Sequence, residues 1–296
     1  MNIKASSEAS SELSDRVSDK VSDKSSSTAL CVGIAGIGLL GPGLPDWGSG
    51  VALLRDPAAW RPRPTEVAAP LLLPATERRR AGKVVKASIA VADQACAMAG
   101  LDPSTLATVF SSSSGDPDNC HALCEALATP ERAVSPTRFT NSVHNATAGY
   151  WHIAVRSRRP STSLAAFDGG VGAGLLEATA QCHGSGQPVL LVACDLPYPE
   201  PLASVRPVSD GFAFALLLVP ASAPAMQHLR LEMNDGEPAT RCADAALERL
   251  RLGVPAARAL PLLQALACAQ TSLTAATLCI EAQAGCGIRV WLQAAT

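Results

Sequence analysis

Short apolar runs bounded by turn residues recur along this chain between stretches of helical period, and that alternation restricts the fold to a layered α/β sheet. ALCVGIAGIGLL from Ala29, QPVLLVACD ending at Asp195 and DGFAFALLLVPA from Asp210 are continuously apolar, as strands covered on both faces are. LATVFSSSSGD (Leu106 to Asp116) reads as a strand running into a polar loop, and PSTSLAAF (Pro160 to Phe167) as a short strand. Between them RRRAGKVVKASIAVADQACAMAG (Arg78 to Gly100), CHALCEALATP (Cys120 to Pro130) and TAGYWHIAVRSR (Thr147 to Arg158) have helical spacing, with Gly100 and Pro130 as stops. Beyond Pro220 the texture changes: LRLEM, helices near Ala245–Leu252 and Ala256–Cys268, then LCIEAQ and GIRVWLQ flanking AGCG as a hairpin. No domain boundary is legible between 29 and 296.

The first 28 residues contain the duplication VSDKVSDK and almost nothing that a core could bury. They read as a disordered tail; the sharper alternative is an amphipathic docking helix carrying Leu13, Val17 and Val21 at spacing of four. With 48% hydrophobic residues, the rest of the chain has ample material for a core. A net charge of -2 with interspersed signs provides no field for nucleic acid or an anionic membrane, so neither is expected as a partner. No apolar run approaches the roughly 20 residues a membrane helix needs. Ten scattered cysteines without a preceding secretory signal imply a reducing, cytoplasmic setting and mostly buried thiols.

Three motifs suggest cofactors or partners and are set aside. GIGLLG (Gly36 to Gly41) matches a dinucleotide fingerprint with Asp56 downstream, but Pro42, Gly43 and Pro45 forbid the helix that must start there. The glycines read instead as a close-packed loop. Cys120 and Cys124 lie one helical turn apart with His121 turned aside, and no second ligand pair is near, so buried thiols are expected and no metal. Arg78, Arg79 and Arg80 could receive an acidic partner but read as a solvated face. SVHNATAGYW (Ser142 to Trp151) is richer: His144, Asn145, Tyr150 and Trp151 crowd a helix start in a protein with only 4% aromatics. It reads either as a site wall or interface, or as Asn145 capping a helix whose aromatics fill the core.

LAAFDGGVGAGLLEA (Leu164 to Ala178) reads as a strand end, a tight turn and a small-residue helix. Such an elbow presents a nucleophile in many enzymes; here the tip carries Asp168, and a carboxylate at a helix start is expected to cap the free amides.

SPTRFTNSVHNATAGYW, PSTSLAAFDGGVGAGLLEA and VLLVACDLPYPEPLASVRPVSDGFAFALLL together resemble the N-terminal half of the β-ketoacyl synthases, in the thiolase superfamily. The likeness spans roughly residues 29–268 and is narrower to the short ketosynthase-like chain length factors of aryl polyene pathways. It implies a thiolase-like layered αβα architecture over 29–296, with 221–296 a truncated, divergent C-terminal portion. By the same resemblance, counting without a gap from Asn145, Ala148 and Gly149, Asp168 stands at the family's acyl-accepting cysteine. The family's two histidine motifs, resembling NxHGT and GHxxGA, match none of His121, His144, His152, His183 and His228. About 76 residues follow Pro220, too few for a complete second half.

The resemblance therefore implies no catalytic residue, no cofactor and no metal. It implies a chain length factor pairing as a heterodimer with an active ketosynthase, and meeting acyl carrier protein through that complex. Its seam would include Phe139 to Trp151 and Ser161 to Phe167. Interface or tunnel candidates are His144, Asn145, Tyr150, Trp151, Phe167 and Asp168. The alternative is a stand-alone acyl-thioester enzyme, such as a malonyl-carrier decarboxylase, using Asp168 and His144 as acid and base.

Overall fold

The computed structural model describes residues 29–269, 275–283 and 285–294; the N-terminal tail lies outside them. Its strands are β1 (Leu30–Leu40), β2 (Ala107–Ser111), β3 (Ser161–Leu164), β4 (Val189–Asp195), β5 (Phe212–Pro220), β6 (Gln227–Asp235), β7 (Ala276–Gln283) and β8 (Cys286–Ala294). They form one sheet in the order β3-β2-β4-β5-β1-β6-β8-β7. β2 runs parallel to β3 and β4, and the remaining neighbours are antiparallel. The helices are α1 (Trp47–Arg55), α2 (Ala75–Arg80), α3 (Lys83–Ala99), α4 (Pro117–Ala128), α5 (Pro136–Thr140), α6 (Ala146–Val155), α7 (Gly170–Ser185), α8 (Leu202–Val205), α9 (Ala245–Gly253) and α10 (Leu260–Ala269).

The apolar runs owe their continuity to burial on both faces. Along β4 and β5, Leu191, Ala193, Phe214 and Leu216 point to one core with Val171 and Leu175 of α7. The alternate residues Leu190, Val192, Ala215 and Leu217 point to the other, with Ile89 and Val91 of α3 and Trp151 of α6. A sheet between two helical layers is the αβα arrangement expected. The C-terminal hairpin β7–β8 also forms as expected, with Gly285 at φ 78° in its turn.

α7 is enclosed between β2 and β4 on one side and β7 on the other. A Cβ on Gly169 would lie 2.1 Å from the Ala282 carbonyl oxygen, and one on Gly172 would lie 2.3 Å from that of Glu281. The glycines of the elbow run exist because two backbones meet there.

Four local readings are corrected. GIGLLG is not a loop: Gly36 and Gly38 lie inside β1, where Cβ atoms would come within about 2 Å of the Ala95 and Val91 carbonyl oxygens of α3. The helix read from Arg78 is two helices, broken at Ala81 and Gly82, because Gly82 sits against the Asp116 carboxylate and leaves no room for a side chain. The strand before the elbow ends at Leu164 rather than Phe167. The helix from Ala256 begins as a 3-10 turn, Pro255–Ala259, and becomes α-helical only at Leu260.

The cysteines also depart from expectation. Cys96, Cys182, Cys194 and Cys242 are buried, but Cys120, Cys124 and Cys268 are exposed. α4 lies on the surface, burying only Pro117 and Asn119, so its thiols face solvent.

Candidate functional site

The turn between β3 and α7 is a 3-10 segment, Phe167–Gly169, and its strained residue is Phe167, at φ 50°. A left-handed aromatic residue is costly and persists only where the surroundings impose it. Asp168 follows, and it caps nothing: neither the 3-10 turn nor α7 has a side-chain cap. This corrects the capping expectation.

Two arginines hold the carboxylate instead. Arg206 Nη2 lies 2.5 Å from Asp168 Oδ1 and Arg258 Nη2 lies 3.1 Å from Oδ2. Arg258 also donates from Nη1 to Glu281 Oε2 of β7 at 2.8 Å. The Arg206 guanidinium stacks 3.8 Å from the centre of the Phe167 ring. Strand-to-helix turn, α8 end, 3-10 turn and β7 are thereby tied together, and two carboxylates meet two guanidinium groups with no net charge left over.

Arg258→Met leaves Asp168 with one partner and Glu281 with none in this network. The groups are partly exposed, so the expected cost lies between surface and buried pairs, at about 2 kcal/mol of unfolding free energy by urea titration. Adding Asp168→Asn should recover part of that loss; a double variant as unstable as the sum of the two singles would argue against the coupling.

Beside this network, the Ser111–Gly115 loop follows β2. Asp195, at the end of β4 and 3% exposed, accepts hydrogen bonds from Ser113 N at 2.7 Å, Ser113 Oγ at 2.8 Å and Ser112 Oγ at 3.2 Å. Burial pushes its carboxyl up to about 6 despite these donors and the Ala256 amide, which pull the other way. Ser111 Oγ donates to the Gly170 carbonyl oxygen at 2.8 Å, seating the start of α7.

The candidates from Ser142 to Trp151 separate. His144 is exposed, with Nε2 3.1 Å from the Ser112 carbonyl oxygen. Asn145 is exposed at the N-cap position of α6 and makes no capping bond. Tyr150 and Trp151 are buried in the α3–α6 core, on the sheet face opposite α7, and Tyr150 donates its hydroxyl to Asn141 Oδ1 at 3.1 Å. The aromatic pair therefore belongs to packing. No hydrogen bond or ion pair joins His144 to Asp168 among the described residues, so an acid–base pair is not assembled.

An open cavity of about 720 Å³ borders the elbow, lined by Leu164 to Phe167, Ala173, Leu176 and Glu177 of α7, and Met233, Ala282, Gln283 and Cys286. Phe167 is 63% exposed at its rim, and Val205, next to the Arg206 that stacks on the Phe167 ring, is also exposed. Among the described residues no group of three or more His, Cys, Asp or Glu could hold a metal ion, and no helix is long and apolar enough to cross a membrane. Sequence reasoning missed Arg206, Arg258, Glu281 and Asp195. Only Asp195, a lone acid closing an apolar strand, carried a local signal.

The model of the β-ketoacyl synthase N-terminal domain matches residues 55–279. Among solved structures, a ketosynthase in complex with its chain length factor from Xenorhabdus doucetiae is 21% identical with a TM-score of 0.65, covering 88% of this chain and 99% of that one. The ishigamide ketosynthase/chain length factor is 14% identical, with a TM-score of 0.67 over 90% of this chain and 100% of that one. A type II polyketide acyl carrier protein–ketosynthase complex is 13% identical, with a TM-score of 0.70 and the same coverage. These likenesses show a thiolase-like ketosynthase fold. No curated protein matches the sequence.

Proposed function

The chain belongs to the β-ketoacyl synthase family through its N-terminal domain, and from that premise we propose that it is a non-catalytic chain length factor. It pairs with an active ketosynthase in the cytoplasm and closes the far end of the partner's acyl tunnel in aryl polyene-type synthesis. The observation that carries this reading is the elbow tip. An elbow nucleophile sits at the strained residue, which here is Phe167, one position before the gap-free count; the next, Asp168, is bound by two arginines. A phenyl ring has no lone pair to attack a thioester, and acylating a carboxylate would give an anhydride more energetic than the thioester.

Two features support pairing. β3 is the edge strand, bonded to β2 alone among the described residues, and a free edge is a template for another chain. Phe167 at the elbow is exposed, as is Val205, next to the Arg206 that stacks on the Phe167 ring. Of the tunnel candidates, Phe167 lines the elbow cavity, whereas Tyr150 and Trp151 serve the core. The carrier protein is met through the complex, as in the similar structure of an acyl carrier protein bound to its ketosynthase.

The test is coexpression with a ketosynthase whose cysteine and histidines are intact. The two should copurify in equal amounts, and Phe167→Ala should shift the products of the complex toward longer chains. Acylation of the isolated chain by a malonyl or acyl carrier thioester, seen by intact mass, would overturn the reading, as would failure to copurify.

A further inference from the structure

Sequence spacing reads Cys120 and Cys124 as buried thiols, but α4 carries both of them exposed. They stand one turn apart in an unbroken helix, where side chains at this spacing are neighbours with Cβ atoms about 5–6 Å apart. The two thiols meet: contact with Cys124 pushes the Cys120 thiol up, after partial burial and ahead of the Asp116 carboxylate. A disulfide needs Cβ atoms about 3.5–4.5 Å apart, so the pair cannot close one without unwinding the turn. An atom held between the two sulfurs needs no such change.

The surroundings restrict what that atom can be. Among the described residues no third His, Cys, Asp or Glu joins the pair in a metal-binding group. His121, the adjacent nitrogen donor, turns its Nε2 to Glu125 Oε1 at 3.3 Å. Structural zinc takes four ligands, and iron–sulfur clusters take four thiolates. Of the metals that soft thiolates select, monovalent copper is the one that two sulfurs satisfy. α4 also suits a cation, since it carries Asp118 and Glu125 and no Lys or Arg of its own; Lys83, from α3, meets Asp118 at 3.2 Å.

We propose that Cys120 and Cys124 form a two-coordinate site for Cu(I). Binding replaces two S–H bonds by two S–Cu bonds and releases both protons to solvent, leaving a bis-thiolate complex with copper and sulfur in their original oxidation states. The ion staples one turn of α4, the helix that Asn119 Nδ2 fastens to the Arg138 carbonyl oxygen at 2.9 Å. The site uses no residue of the elbow and does not depend on the pairing proposed above.

The test titrates the reduced full chain with Cu(I), without oxygen, against the chelator bicinchoninate, whose colour reports the copper that the protein has not taken. Cys120→Ser and Cys124→Ser should each lower the copper withheld by one equivalent. The double variant should also lower it by one and no more, because a single ion needs both sulfurs. The chain's other thiols are common to all these proteins and cancel, and serine at exposed positions leaves the fold intact. An unchanged count in either single variant would overturn the proposal, as would a double variant that loses two equivalents, the mark of two independent thiols. Copper-driven dimers of the parent that the single variants do not form would overturn it too, since each ion would then bridge two copies.

Discussion

Gly172→Val is expected to lower the unfolding free energy by about 3 kcal/mol, read from the urea midpoint at constant slope. A Cβ at this position would lie 2.3 Å from the Glu281 carbonyl oxygen and 2.8 Å from the Ala282 Cα. Those atoms are backbone of β7, held between Glu281 paired with Gly287 and Gln283 paired with Cys286 at a break in register, so they have no rotamer by which to withdraw. Nor has α7 room to retreat: a Cβ on Gly174 would already lie 3.1 Å from Leu191 Cδ1 and from Ser111 Cβ on the opposite side. The control is Gly184→Ala, near the end of the same helix, where an added Cβ meets nothing within 4 Å. It should be neutral or stabilise by about 0.5 kcal/mol through helix propensity. A Gly172→Val protein as stable as the parent would mean that β7 does not press on α7.

The contrast within one helix explains what was legible in the sequence. β4 and β5 were readable because burial on both faces leaves an unbroken apolar run, a pattern that depends only on local composition. The elbow was readable for a related reason: a helix squeezed between two backbones must be built of Gly and Ala, and GGVGAG announces it. GIGLLG carries the same signal, but Pro42, Gly43 and Pro45 made it look like a loop, when Gly36 and Gly38 were clearing space inside a strand for α3. A glycine reports a close approach without saying which element approaches.

Side chains that act through distant partners were not readable. Arg206 stands 38 positions from Asp168, and Arg258 reaches Glu281 across 23, separations with no periodic trace in sequence. The capping expectation for Asp168 was sound as local chemistry; two guanidinium groups brought by the tertiary fold are stronger partners than a helix end. Trp151 stood between two readings, site wall or core, and α6 turns it wholly into the core, where a large side chain is most valuable.

Asp195 should make stability depend on pH in a direction opposite to most carboxylates. Its native carboxyl is raised from 3.8 to about 6, because burial penalises the anion more than the Ser112, Ser113 and Ala256 donors reward it. The folded state therefore binds the proton more tightly than the unfolded chain. Asp195's stabilising contribution is fully present below pH 3.8 and is lost as pH rises to 6, by about 3 kcal/mol in all, about 2 of them above pH 4.5. Glu248 works the other way: its hydrogen bonds from Arg251 hold it down at about 2 from 4.5, and its contribution is lost only as pH falls below 4.5. The window from pH 4.5 to 6 thus isolates Asp195 from that pair. The measurement is the difference in unfolding free energy between the parent and Asp195→Asn as a function of pH. The variant keeps an acceptor for the serine donors but has no proton to exchange, so any fixed penalty cancels. The difference should fall steadily toward pH 6 and then level, and parallel curves would mean that Asp195 titrates as it would in water. Because the same carboxylate fixes the loop whose Ser112 carbonyl meets His144, the ionisation that weakens the fold also acts on the loop that holds that imidazole.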